Sequence, residues 1–250
     1  MRLYIEAYIR ADLDTLWAAT QDPSRHQRWD LRFTEIAHLP RAEGEPQRFR
    51  YATRVLPFLT VSGTGVSAGE RERPDGTRTS ALRFASPHPL SLIAEGGGYW
   101  RYVPAADGVR FLTGYDYRPR WGRFGALADR LVLRPLMGWA TAWSFDRLRL
   151  WLERGITPER ALRSWLTGLA VRALVITVAL TGLGLESFLR LFGPFAAPMA
   201  YLCPLLLLVA VCLALFLPPR PGTPAARRCR RTPPTGAGAP GLLRSLENPR

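Results

Sequence analysis

Polar and apolar residues alternate from the start of the chain, with Leu3, Ile5, Ala7 and Ile9 on one face and Tyr4, Glu6, Tyr8 and Arg10 on the other. A period of two predicts a half-buried strand. Asp12 or Asp14 is placed to cap a short helix carrying Leu13, Leu16 and Trp17. Asp22-Pro23 stops that helix and starts another short one, which runs up to Trp29-Asp30. Strand-like segments follow at 34–39, 47–56, 59–70, 77–85, 93–103 and 109–118, separated by turn chemistry such as Pro74-Asp75-Gly76 and Asp107-Gly108. Phe49, Tyr51, Thr53 and Val55 share one face, as do Leu82 and Phe84, and Val109, Phe111, Thr113, Tyr115 and Tyr117. The glycines at 96–98 predict a bulge or sharp bend, and those at 63–69 a twisted or bulged strand. Residues 124–154 switch to a helical period with a broad apolar stripe, broken mildly by Pro135 and Gly138. The predicted order is one strand, two short helices, about six antiparallel strands and one long helix.

Beyond residue 156 the pattern changes. Residues 195–217 form a 23-residue run without a charge. As a helix it spans roughly 35 Å, enough to cross a bilayer, although Pro198 and Pro204 delay or kink its start. A weaker apolar stretch, 166–185, contains Arg172, which could snorkel to the interface beside Trp165. It reads as a first span or as an interfacial amphipathic helix, with Gly193-Pro194 as the turn between the two stretches. The remainder, 218–250, is rich in Pro, Gly and Arg, has no hydrophobic period, and reads as disordered. The domains expected are therefore 1–156, a linker at 157–164, a transmembrane hairpin at 165–217 and a tail at 218–250.

Charge refines this division. The 250 residues carry a net charge of +14, and all 34 basic residues are arginine, which excludes catalytic-lysine mechanisms. Residues 1–156 hold 23 Arg against 17 acidic residues, while 157–250 hold 11 against 3. Arginines flank both apolar stretches on their outer sides, and the connection between them holds only Glu186 and Arg190. The positive-inside bias puts the N-terminal domain and the tail in the cytoplasm, in agreement with an N-terminus lacking a signal-peptide core. Topology-setting charge and contact with anionic lipid explain the basic tail more cheaply than nucleic acid does.

Chemical motifs are sparse. The three cysteines and three histidines have no metal-ligand spacing, so no metal is expected. His26, His38 and His88 read as surface or capping residues. Asp30, Glu95 and Asp116 are plausible acid–base carboxylates, but no pair is assignable to catalysis without geometry. The aromatics are more informative: Trp29, Phe49, Tyr51, Phe84, Trp100, Tyr102, Phe111, Tyr115, Trp139 and Trp143 are candidates to line an apolar ligand cavity. Core packing accounts equally for each taken singly, and a one-residue slip of strand phase would reverse the assignment.

The element order, with Thr20-Gln21-Asp22-Pro23 leading to Arg28-Trp29-Asp30, resembles the START-like (SRPBCC) superfamily over roughly residues 1–155. The resemblance implies an α+β helix-grip fold, a curved antiparallel sheet around a long C-terminal helix, with an apolar ligand cavity and no cofactor. Here two transmembrane helices and a disordered tail would follow. Members of the superfamily related to carbon monoxide dehydrogenase, tethered by a C-terminal hydrophobic segment, are the closer architectural parallel. The function expected is a membrane-tethered cytoplasmic domain binding a hydrophobic small molecule or lipid. Two alternatives are a cofactor-independent polyketide cyclase or aromatase using Tyr51, Glu95 and Tyr115, and a membrane-anchored interaction module.

Overall fold

Strand β1 (Leu3–Ile9) keeps the predicted phase: Ile5, Ala7 and Ile9 are buried, and Leu3 lies against Gly138 of the long helix. The structure, a computed structural model, describes residues 3–190 and 199–234. Helix α1 (Leu13–Gln21) is capped by Asp12, whose side chain accepts from Thr15 N. Helix α2 (Pro23–Trp29) is capped by Asp22, with Pro23 in its first turn, where a missing N–H costs nothing. Six strands follow: β2 (Glu35–His38), β3 (Arg48–Leu56), β4 (Leu59–Glu72), β5 (Arg78–Ala85), β6 (Ile93–Ala105) and β7 (Gly108–Pro119). They join β1 in one seven-stranded antiparallel sheet of order β1-β7-β6-β5-β4-β3-β2. The element order and the long helix packed on this sheet are those expected of a helix-grip arrangement. The irregularities differ in place from those predicted. In β6 the register shifts between Ile93 and Glu95, ahead of the glycines, and in β4 between Ser67 and Gly69.

The predicted long helix is divided into α3 (Gly122–Ala128), a π-helical turn (Asp129–Leu133) and α4 (Arg134–Arg154). Asp129 turns inward at the π turn, where it accepts from Tyr117 Oη at 2.5 Å and Arg134 Nε at 3.0 Å. Helix α4 ends at Gly155, which takes the left-handed conformation (φ +64°) that a helix stop favours. The core lies between α4 and the sheet. Trp29, Tyr102, Phe111, Trp143 and Phe145 are all fully buried, and the Phe111 and Phe145 rings stack at 4.4 Å. A smaller cluster on the opposite sheet face joins Tyr4, Ala81, Tyr99 and Leu112.

Two boundaries are corrected. Most of 157–164, read as a linker, is helical, because Pro158 starts α5 (Pro158–Arg190) only three residues past Gly155. The segment read as disordered from 218 contains an ordered strap. Ala226–Arg228 form a 3-10 turn, and Glu6 and Arg230 exchange two backbone hydrogen bonds of 2.8 Å at the free edge of β1. Asp146 of α4, fully buried, accepts from Ala225 N and Arg228 Nη1, each at 2.8 Å. These long-range anchors outweigh the local composition. Residues 235–250 of the tail, the Gly193-Pro194 turn and the start of the apolar run at 195–198 lie outside the described residues.

The described residues up to Pro158 and from Pro224 onward form one unit, and 159–223 form a second. The second unit consists of α5 and α6 (Met199–Phe216), the latter with Pro204 inside it. Among the described residues one helix is long and apolar enough to cross a membrane, at Pro158–Leu185, with mean hydropathy 1.9. The run expected to be the stronger span contributes only the shorter apolar helix Cys203–Phe216. Arg172, expected to snorkel, instead donates to Ala214 O at 3.0 Å and Leu217 O at 2.6 Å. It thus satisfies carbonyls that the end of α6 would otherwise leave open.

Candidate functional site

Where α2 ends, the chain turns inward. Trp29 Nε1 donates to Ala19 O at 2.9 Å, and Leu31 N donates to Ser144 Oγ on α4 at 2.8 Å. These bonds pull Asp30 into the interior, where its carboxylate meets both ends of the Arg32 guanidinium: Nε to Oδ1 at 2.9 Å and Nη2 to Oδ2 at 2.6 Å. A two-point pair of this kind is the strong form of the interaction. His26, one turn before Asp30, lies 3.0 Å from Oδ2 through Nε2. An ionised carboxylate only accepts, so the imidazole is the donor. Burial opposes the charge on Asp30, but the Arg32 guanidinium and the His26 hydrogen bond hold its carboxyl well below the usual range. Burial pushes His26 below its ordinary value, against the pull of Asp30, and so keeps it neutral.

Aromatic rings enclose this cluster. His26 stacks on Trp29 at 4.9 Å and meets the edge of Trp100 at 4.9 Å and of Phe33 at 5.5 Å. The Arg32 guanidinium lies over Phe33 at 5.3 Å and Tyr115 at 5.7 Å, where the ring faces favour a cation.

Beyond Arg32 the same sheet face carries a floor of rings laid on glycine. Tyr51 is paired with Gly63, Phe49 with Gly65, Phe84 with Gly96 and Tyr115 with Gly98. A Cβ at Gly65 would fall inside the Phe49 ring, and one at Gly63 would meet the Tyr51 hydroxyl end. At Gly96 it would meet both the Phe84 ring and the Asp116 carbonyl. Glycine therefore lets each ring lie flat across its neighbouring strand. Phe49, Tyr51 and Phe84 remain half-buried, each with one part still open, while Tyr115 is buried and shares a 2.9 Å hydrogen bond with Thr141 of α4. Phe33 meets the edge of Tyr51 at 5.6 Å and links the floor to the ion cluster. Burial pushes the Tyr51 phenol up to about 12, so it stays protonated.

The ten residues singled out from sequence separate into three groups. Phe49, Tyr51, Phe84 and Tyr115 make the floor. Trp29, Trp100, Tyr102 and Phe111 form a continuous buried stack with Phe145, and Tyr102 Oη bonds Thr20 Oγ1 at 2.6 Å. Trp139 and Trp143 pair with each other on α4 at 6.4 Å. The carboxylates do not converge. Glu95 faces outward to Arg118 at 3.1 Å with both side chains exposed, and Asp116 is exposed. His26 is a correction, for it lies in the interior and not at the surface. Its i,i+4 spacing to Asp30 was the available signal. Arg32 and Phe33 were not anticipated. A separate shallow cleft of about 230 Å³ is lined by Trp17, Glu70, Arg71, Glu72 and Arg78, away from the floor. No group of three or more metal-ligating side chains occurs among the described residues.

No family model matches the chain. The chain is 50 % identical over 163 residues, 65 % of its own length, to an uncharacterized membrane protein, YndG, of Bacillus subtilis (strain 168), and spans about 61 % of that relative's length. Among solved structures it is similar to the hypothetical protein jhp0584 of Helicobacter pylori (15 % identity, TM-score 0.49), covering 61 % of this chain and 88 % of that one. It is also similar to a STAR-related lipid transfer protein fragment from Xanthomonas axonopodis (21 % identity, TM-score 0.47), covering 61 % and 86 %. A third likeness is to the Zhui aromatase/cyclase from Streptomyces sp. R1128 (14 % identity, TM-score 0.40), covering 60 % and 96 %.

Proposed function

We propose that the chain is a membrane-tethered domain that binds a hydrophobic small molecule or lipid on its aromatic floor. The observation that carries the reading is the set of half-buried rings Phe49, Tyr51 and Phe84, lying on Gly65, Gly63 and Gly96. Flat rings kept partly open offer broad apolar contact to a ligand. The one charged cluster beside them is neutralised internally, since Arg32 is matched to Asp30. A cyclase or aromatase would need a carboxylate facing Tyr51 and Tyr115. Glu95 points to Arg118 and Asp30 is committed to Arg32, which favours binding over turnover.

Membrane tethering is supported by the 28-residue apolar helix at Pro158–Leu185, of which only 6 % is buried. Both ends of the excursion 159–223 lead into the same unit, because the strap at 224–230 is fastened to Asp146 and Glu6. Such an excursion crosses a bilayer an even number of times. In this reading α6, about 27 Å long, makes the return. The flanking arginines put domain and strap on the cytoplasmic side. The similarity to a membrane protein of Bacillus subtilis points the same way.

The test is photo-cross-linking of the full chain in the membranes of producing cells, with Phe49→p-benzoylphenylalanine and, as control, Tyr8→p-benzoylphenylalanine on the opposite sheet face. A hydrophobic adduct at 49 and none at 8 is expected. No adduct at 49, or the same adduct at both, overturns the reading.

A further inference from the structure

The segment after β7 has an amphipathic surface that the tether and the ligand floor leave unexplained. Phe124 is 70 % exposed and Leu131 66 % exposed, and Leu127 and Leu136 are more than half exposed. Their spacings of three, four and five residues would drift around a regular α-helix. The π turn at Asp129–Leu133 absorbs the extra residue and keeps them on one stripe. Trp121 extends the stripe. Its ring lies 6.5 Å from Phe124, and its Nε1 donates to Pro89 O at 3.2 Å, beside exposed Leu90. The polar flank is basic. Arg123 and Arg130 are exposed, and between Asp116 and Asp146 the single acidic residue is Asp129, buried against Tyr117 and Arg134.

We infer that residues 121–136 are an interfacial docking element that seats the sheet domain on a bilayer surface rich in anionic lipid. Large apolar side chains on one face with arginines beside them match the acyl boundary and its anionic headgroups together. A protein partner would equally cover the apolar stripe. The net positive charge, with the one carboxylate withdrawn into the core, favours an anionic lipid surface. The inference adds a second membrane contact to the tether and rests on the proposed membrane association.

The full chain, with Cys203→Ala, Cys212→Ala and Leu127→Cys, is labelled with a polarity-sensitive fluorophore and assembled into nanodiscs of phosphatidylcholine alone or mixed with phosphatidylglycerol. Cys229 is buried, and its thiol, pushed up to about 12 by burial, stays unlabelled. Ala106→Cys, in the exposed β6–β7 turn, is the control. The label at 127 is expected to shift to the blue and brighten several-fold in anionic discs, and the label at 106 to stay unchanged. Arg123→Glu with Arg130→Glu should weaken that docking by at least about 25-fold. A chain that enters the discs with the label at 127 as wet as that at 106 overturns this inference and leaves the tether standing. An equal response in uncharged discs overturns the anionic preference. A chain that fails to enter either disc overturns both the tether and the docking element.

Discussion

Replacing Asp146 by Asn should unfasten the strap while sparing the fold. Asp146 is fully buried, and its carboxylate accepts from Arg149, Arg228 and Ala225 N at 2.7–2.8 Å. An amide keeps the shape and one acceptor but removes the charge. Arg149 retains Glu153 at 2.8 Å, so the loss falls mainly on Arg228 and the strap. Breaking one side of a buried pair costs about 3–5 kcal/mol. Arg228 is partly exposed and relaxes into water, which lowers the expected cost to about 2–3 kcal/mol. That corresponds to an opening equilibrium about 30–150 times larger. The reporter is Cys229, buried in the strap with Sγ 3.2 Å from Ala142 O. In the full chain with Cys203→Ala and Cys212→Ala, alkylation of Cys229 should accelerate by that factor while tryptophan fluorescence stays native. An unchanged alkylation rate would refute the strap's dependence on Asp146. Acceleration only in step with loss of native fluorescence would refute the separation of strap from core.

Further outcomes follow from the site. His26 is held below its ordinary value of 6.5, so the unfolded chain takes up the proton first. Stability is therefore full above pH 6.5 and declines as pH falls toward the lower folded value, and His26→Gln should flatten that decline in urea titrations run across pH. Asp30, held well below 3.8, adds a further loss only at more acid pH. Gly65→Ala and Gly96→Ala should differ. The first meets only the Phe49 ring, which can lift away, so it should disturb ligand contact more than stability. The second also meets the Asp116 backbone and should cost about 1–3 kcal/mol on thermal unfolding. Trp29→Ala, which empties a fully buried site beside His26, Trp100 and Phe145, should cost about 3–5 kcal/mol in denaturant unfolding.

Strand faces were legible because alternation is local: Phe49 and Tyr51, Leu82 and Phe84, and the odd positions of β7 keep their predicted sides. Caps at Asp12 and Asp22 were legible for the same reason. What the sequence concealed depends on partners far along the chain. The Pro- and Arg-rich segment after 218 reads as disordered until Asp146, 79 residues before Ala225, and the free edge of β1 are brought to it. The burial of His26 depends on Trp100, supplied by β6. The π turn follows from Asp129 being drawn to Tyr117. Gly63, Gly65 and Gly96 suggested bulges, whereas they make room for rings on the neighbouring strands. Glycines in phase with cross-strand aromatics were the signal available for the floor.

The claim that the floor holds a hydrophobic ligand is tested most directly by native mass spectrometry. The full chain is extracted from membranes into nanodiscs, with lipid extraction and identification of whatever co-purifies. The account predicts a discrete hydrophobic molecule at near-equal stoichiometry in the wild type, depleted in Phe49→Ser with Phe84→Ser. Wild type and variant carrying the same bulk lipids in the same amounts would contradict it.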